Sequence, residues 1–241
     1  MLKEAIEKIQ ELCAPNLFQS GGRDYLADGG EYREIRPELD MIEEISLSSL
    51  DALVQLVKTE AATREPVYIT IPNHTTVQCF THPKEDLRLR REYLYIAHAT
   101  DVPGWNEKVS LPFEEALIAL RTRFQTSQDT DYALKLLSDI TTGSKVTFND
   151  NGVATSVVTK RGIDLQSNTA IRPIIKLRPY RTFQEVAQPE SQFLIRLSER
   201  NITFIEADGG MWKLEARNTV KSYLENALKE EIEAKTVVVV L

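Results

Sequence analysis

The sequence predicts an α+β fold: an antiparallel sheet system with helices packed beside it, preceded by an N-terminal helical arm. Two observations predict it. Short runs that alternate at period two, separated by proline, asparagine or glycine pairs, fill much of the chain from residue 67 onward. Apolar residues at helical spacing are grouped in separate stretches near the start, the middle and the end, which suits helices beside a sheet rather than strand–helix alternation.

Residues 2–13 read as a helix, with Leu2, Ala5, Ile6, Ile9 and Leu12 recurring on one face. Two Gly-Gly pairs and Pro15 mark 14–32 as a loop or mobile arm. A structureless connection of that length is uncommon inside a compact domain. The stripe Leu2, Ile6, Ile9, Leu12 is therefore expected to reach a neighbouring subunit. Ser48 followed by Asp51 resembles a helix N-cap, and Leu50, Leu53, Val54 and Val57 then supply one apolar face, so a helix is expected over 48–62. "VYITI" reads as a strand ended by Pro72. "TTVQCFT" and "LRLRREYLYIAHA" flank the turn "HPKED", with a bulge expected near Arg91 where the outward face changes character. "DVPGW" is a turn. Pro112 opens a helix through about Phe124, and Asp129 or Thr130 caps a second, with Gly143 just past its end.

Asn151-Gly152 between alternating runs is the strongest hairpin signal in the chain. "AIRPIIKLR", "SQFLIRLSE", "NITFIEAD" and "MWKLEA" are further predicted strands, with Gly209-Gly210 as a hairpin turn. Asn218 is expected to cap a last helix through about Ala234. "TVVVVL" then reads as a strand buried on both faces, in which Val237, Val238, Val239 and Val240 must find a pairing edge in this chain or another. The expected division is an arm over 1–45 and an α+β domain over 46–241, with a possible sub-division near 143.

Composition narrows the function. The 241 residues are 42% apolar, enough for a core without disulfides. The two cysteines, Cys13 and Cys79, are distant and outside any C-x-x-C pattern, which fits a reducing compartment. The amphipathic start lacks a secretory signal, and no run is long enough to span a bilayer. A cytoplasmic protein with no membrane partner is expected. The net charge of −7 argues against non-specific DNA binding, which a local basic patch alone could supply.

No motif assigns a reaction. His74, Cys79, His82 and His98 carry metal-ligating chemistry, yet lack the tight paired spacing of a structural zinc site, so ordinary turn histidines beside a buried thiol are favoured. Walker A, G-x-G-x-x-G and G-x-S-x-G patterns are absent. Glu206 and Asp208 on one strand face, followed by Lys213, are the nearest arrangement to a metal-dependent nuclease, and charged residues beside a turn are the plainer account. No catalytic residue, metal or cofactor is expected. Two basic clusters remain. Arg88 and Arg90 are candidate contacts to single-stranded nucleic acid. Arg178, Tyr180, Arg181 and Phe183, with Trp105, form a candidate interaction surface, because arginine and aromatic residues anchor protein interfaces.

"DVPGWNEKVSLPFEEALIALRTRF" and the later "KLRPYRTFQEVAQPESQFLIRL" resemble an uncharacterised family of phage and prophage proteins, the YfdQ-like group with a domain of unknown function. The resemblance covers about residues 46–205. It implies a phage product in a bacterial host cell and, having no assigned catalytic residues, transfers none. The expected function is a non-enzymatic protein that self-assembles into a symmetric homo-oligomer, cage-like in one form. The alternatives are a nucleic-acid-binding accessory of phage replication or recombination and, more remotely, a metal-dependent nuclease; the expected partner is a second copy of the chain, with single-stranded nucleic acid or a host protein as the others.

Overall fold

The computed structural model describes residues 3, 16–28, 31–35, 42–62, 66–83, 91–142, 145–150, 155–161, 165–198 and 200–241. The chain divides into two units, Met1–Met41 and Ile42–Leu241, and the fold is α+β. No helix among the described residues is long and apolar enough to cross a membrane.

In the first unit, strands β1 (Asn16–Ser20), β2 (Arg23–Asp28) and β3 (Glu31–Glu34) form an antiparallel meander. The sequence reading of a loop over 14–32 is corrected here. Gly21 and Gly22, read as breakers, both sit at positive φ (57° and 74°) and close a two-residue hairpin between Ser20 and Arg23. Phe18 stacks on Tyr25 at 5.4 Å and meets the edge of Tyr32 at 5.6 Å. Leu2, Ile6, Ile9 and Leu12 lie outside the described residues.

The second unit begins with β4 (Ile45–Leu47), a strand the sequence did not announce. Helix α1 (Leu50–Ala61) follows, and its N-cap is Ser49 rather than Ser48: the Ser49 hydroxyl accepts from the Ala52 N–H at 3.1 Å. Strands β5 (Val67–Asn73), β6 (Thr76–Thr81) and β7 (Tyr93–His98) form an antiparallel meander. β5 passes through Pro72 instead of ending there, because a register shift between Thr70 and Asn73 relieves the missing donor. A second shift falls between the pairs Cys79–Tyr95 and Phe80–Tyr93, with Leu94 as the extra residue on β7.

Strand β8 (Lys108–Pro112) leads into α2 (Phe113–Thr122) and α3 (Gln128–Thr142). β9 (Lys145–Asp150), β10 (Thr155–Arg161) and β11 (Leu165–Ala170) form a separate antiparallel sheet. The expected hairpin is the β9–β10 pair, which closes with Asp150 opposite Thr155; Asn151 and Gly152 themselves lie outside the described residues. Strands β12 (Ile174–Leu177), β13 (Ser191–Leu197) and β14 (Asn201–Glu206) join β8 in a four-stranded antiparallel sheet of order β12-β13-β14-β8.

"MWKLEA" is not a strand. Helix α4 spans Met211–Ala227, and Gly209-Gly210, both at positive φ, form the turn before it. Its buried face, Trp212, Ala216, Val220 and Leu224, repeats every four residues, a helical period the six-residue window around Lys213 was too short to reveal. A short α5 (Lys229–Glu233) precedes β15 (Val237–Val240), which pairs in parallel with β5. The five-stranded sheet therefore has the order β15-β5-β6-β7-β4.

Two cores result. One packs α1 and α4 on the five-stranded sheet around Leu50, Leu53, Ile69, Val77, Val220 and Leu224. The other packs α2 and α3 on the four-stranded sheet around Leu120, Leu137, Ile175, Phe193 and Phe204. β15 is buried on one face only: Val237 is 1% exposed, whereas Val238 and Val240 are 38% and 41% exposed.

Candidate functional site

The segment 178–190, which joins β12 to β13, runs where the two cores meet. Pro179 and Pro189 keep it out of the ladder, so its backbone groups need side-chain partners. Buried Gln188 supplies them. Its Oε1 accepts from the N–H groups of Arg181 (2.9 Å) and Thr182 (3.2 Å), and its Nε2 donates to the carbonyls of Thr182, Phe183 and Val186. The Thr182 hydroxyl donates to the His74 carbonyl, which ties the β5–β6 turn to the segment.

This fold of the segment sends Arg181 inward, 3% exposed. Its Nη1 donates to Glu206 Oε1 and its Nη2 to Ser191 Oγ, while the guanidinium lies 3.6 Å from the ring centroid of Trp212. The indole N–H of Trp212 donates to Glu206 Oε2 at 3.1 Å. Burial lowers the pKa of Arg181, against the upward pull of Glu206 and Asp208; a guanidinium remains a cation throughout the ordinary pH range. His74 meets Trp212 edge-on at 4.7 Å. Burial, then Lys213 and Arg181, push its imidazole below its usual 6.5, so it is neutral at pH 7.

These groups border a cleft of about 690 Å³, which is also lined by residues of the segment 102–108. Trp105 stands there, its ring edge-on to Phe124 (4.7 Å) and Phe204 (5.7 Å), with Lys108 and Lys213 at the rim. A smaller hollow of about 420 Å³ shares Gly104, Trp105 and Asn106 with it and extends along α2.

The predicted interaction surface is corrected by this geometry. Arg181 and Phe183 (1% exposed) are interior, Phe183 belonging to the core of the five-stranded sheet, so neither presents an anchor to a partner. Tyr180 is half-buried, with its N–H bonded to the Arg123 carbonyl at 3.0 Å. Arg178 is exposed and shares Glu190 with Lys176, at 3.4 and 3.1 Å. Arg88 and Arg90 lie outside the described residues. The structure brings Arg181, Trp105, Glu206 and Lys213 to one cleft, whereas the sequence reading had placed them in two unrelated groups.

The nuclease-like arrangement is corrected too. Both Glu206 oxygens are occupied by Arg181 and Trp212, and Asp208 Oδ1 accepts the Gly210 N–H at 3.1 Å, so the pair does not converge on a common point. The histidines are dispersed: His82 bonds the Tyr68 hydroxyl (3.2 Å), His98 the Thr76 hydroxyl (3.3 Å), and His74 sits against Trp212. Among the described residues no three His, Cys, Asp or Glu side chains gather as metal ligands. Cys79 is fully buried, and burial with nearby Glu60 pushes its thiol up to about 12.

Sequence reasoning missed Trp212 and His74 as neighbours. The one signal available was that the chain's two tryptophans each follow a glycine turn, in "PGW" and "GGMW". Compared with known proteins, the chain matches no family model, no curated protein and no solved structure.

Proposed function

We propose that this chain is a non-catalytic assembly protein that pairs with a second copy of itself through β15, in the phage or prophage setting that the resemblance to the YfdQ-like group implies. The observation that carries the reading is the outer edge of β15. Its four valines carry no charge, the strand is paired on one side only among the described residues, and Val238 and Val240 are exposed. An uncharged edge of high β-propensity is a template for further pairing, and folds that keep one generally cover it. The apolar surface continues inward from Val238 to its register partner Tyr68, which stacks on Phe80 at 5.9 Å, and on to Tyr93, 5.8 Å from Phe80 and 46% exposed. A two-fold axis beside β15 would pair it antiparallel with its copy and extend both sheets into one.

The nucleic-acid alternative is weaker. Arg178 and Lys176 both close on Glu190, and Arg91 lies over the rings of Phe80 (5.0 Å) and Tyr68 (5.7 Å). Light scattering at micromolar concentration tests the proposal. A dimer or larger oligomer is expected for the wild type and a monomer of unchanged melting temperature for Val238→Lys/Val240→Lys. A wild-type monomer overturns it, as does a double variant that assembles normally.

A further inference from the structure

The cleft beside Trp212 has features that self-assembly does not use. Its volume of about 690 Å³ falls within the roughly 300–1,000 Å³ of small-molecule sites. Its lining includes three aromatic side chains, His74, Trp105 and Trp212, and Trp105 and Trp212 are the chain's only two tryptophans. Trp212 is immobilised before anything binds, with the Arg181 guanidinium on its face and its N–H held by Glu206. A wall fixed in advance loses little conformational freedom on binding.

Charge points to the kind of ligand. Three cations, Arg181, Lys108 and Lys213, border the cleft against two carboxylates, in a chain of net charge −7. One carboxylate, Glu206, is paired with Arg181, so those two charges cancel and the balance rests on Lys108 and Lys213. The other, Glu107, is 82% exposed at the rim and 3.8 Å from Lys213. His74 is neutral at pH 7 and adds no charge to this balance. A concave site with a positive balance and low-dielectric walls concentrates anions. Arg181 Nε and Trp105 Nε1 are also buried donors with no acceptor among the described residues, and an unmatched buried donor carries a free-energy cost.

We propose that this cleft binds a small planar anion, an aromatic ring bearing a carboxylate or a phosphate, with the ring against the partly exposed Trp105 and His74 and the anionic group held by Lys108 and Lys213. Arg181, packed on the face of Trp212, is a positioning residue.

Because both tryptophans border the cleft, intrinsic tryptophan fluorescence reports on it directly. The full chain is titrated at low ionic strength with AMP and with nicotinate, each beside its neutral counterpart, adenosine or nicotinamide. Saturable quenching is expected from at least one anion, with its neutral counterpart about tenfold weaker or more. A response to AMP alone assigns a phosphate ligand; a response to nicotinate alone assigns a carboxylate. Lys213→Glu and Lys108→Glu replace exposed side chains, so they should leave the melting temperature unchanged while weakening anion binding by about tenfold or more. Absence of saturable quenching by either anion overturns the proposal. Equal response to neutral and anionic probes overturns it, and so does unchanged affinity in both lysine variants. None of these outcomes depends on oligomer size, so failure here is distinguishable from failure of the assembly reading.

Discussion

Replacing Arg181 with leucine removes one cation from a network in which every neighbour depends on it. The side chains of Arg181 and Glu206 are 2% and 7% exposed, so water cannot replace the lost partner. Leucine leaves Glu206 with the single indole N–H of Trp212, and leaves the Ser191 hydroxyl and the face of Trp212 without the guanidinium. Breaking one side of a buried ion pair costs about 3–5 kcal/mol, most of it the penalty of an uncompensated buried charge. For a unit of this size each kcal/mol lowers the melting temperature by about 2–4 °C, so a fall of roughly 6–20 °C is expected. Glu206→Gln in the same background removes the stranded charge but keeps an acceptor for Trp212. Arg181→Leu/Glu206→Gln should therefore recover at least half of the loss. The assay is a double-mutant cycle by thermal and urea denaturation, read with tryptophan emission because Trp212 is part of the network. If Arg181→Leu melts within about 2 °C of wild type, or if neutralising Glu206 restores nothing, the pair is not the staple argued here.

Phe183→Ala should cost about 3–5 kcal/mol in chemical denaturation, because its ring is wholly enclosed in the core of the five-stranded sheet; a loss below about 1 kcal/mol would place it on a surface instead. His74 has a folded pKa below its unfolded 6.5, so the unfolded chain takes up the proton first and stability from this group falls as pH drops below about 6.5. His74→Gln should then flatten the melting temperature between pH ~7 and ~5, and an unchanged slope would contradict the burial assigned to it. Cys79, held near 12 and fully buried, should resist a thiol reagent in a Cys13→Ser background until the protein is unfolded, with rapid labelling of the native state as the contrary result.

Local patterns in the chain were enough to place most of the regular elements. Alternation marked β6, β7 and the β12–β14 strands. Spacing marked α1, whose Leu50, Leu53, Val54 and Val57 are all buried. Asn151-Gly152 announced the β9–β10 hairpin. Local patterning failed where two readings share one signature. Gly21-Gly22 reads as a breaker, and Gly209-Gly210 as a hairpin turn before a strand, where the structure has a hairpin and the start of α4, since a glycine pair at positive φ serves a hairpin and a helix entry equally. The face of β15 was also undecided, because four valines look alike whether or not a second layer covers them.

Tertiary structure alone decided the cleft. Arg181 and Glu206 are 25 residues apart, and His74 and Trp212 are 138 apart (212 − 74), so no spacing rule links them. The sequence marked Arg181 as chemically loaded, yet arginine beside tyrosine and proline describes a surface anchor as well as an interior ion pair. What turned it inward was Gln188, whose one amide satisfies the backbone on both sides of the bend. Pairing across long loop closures is fixed by the burial of two cores against one segment, and that is a property of the folded chain which no stretch of it displays alone.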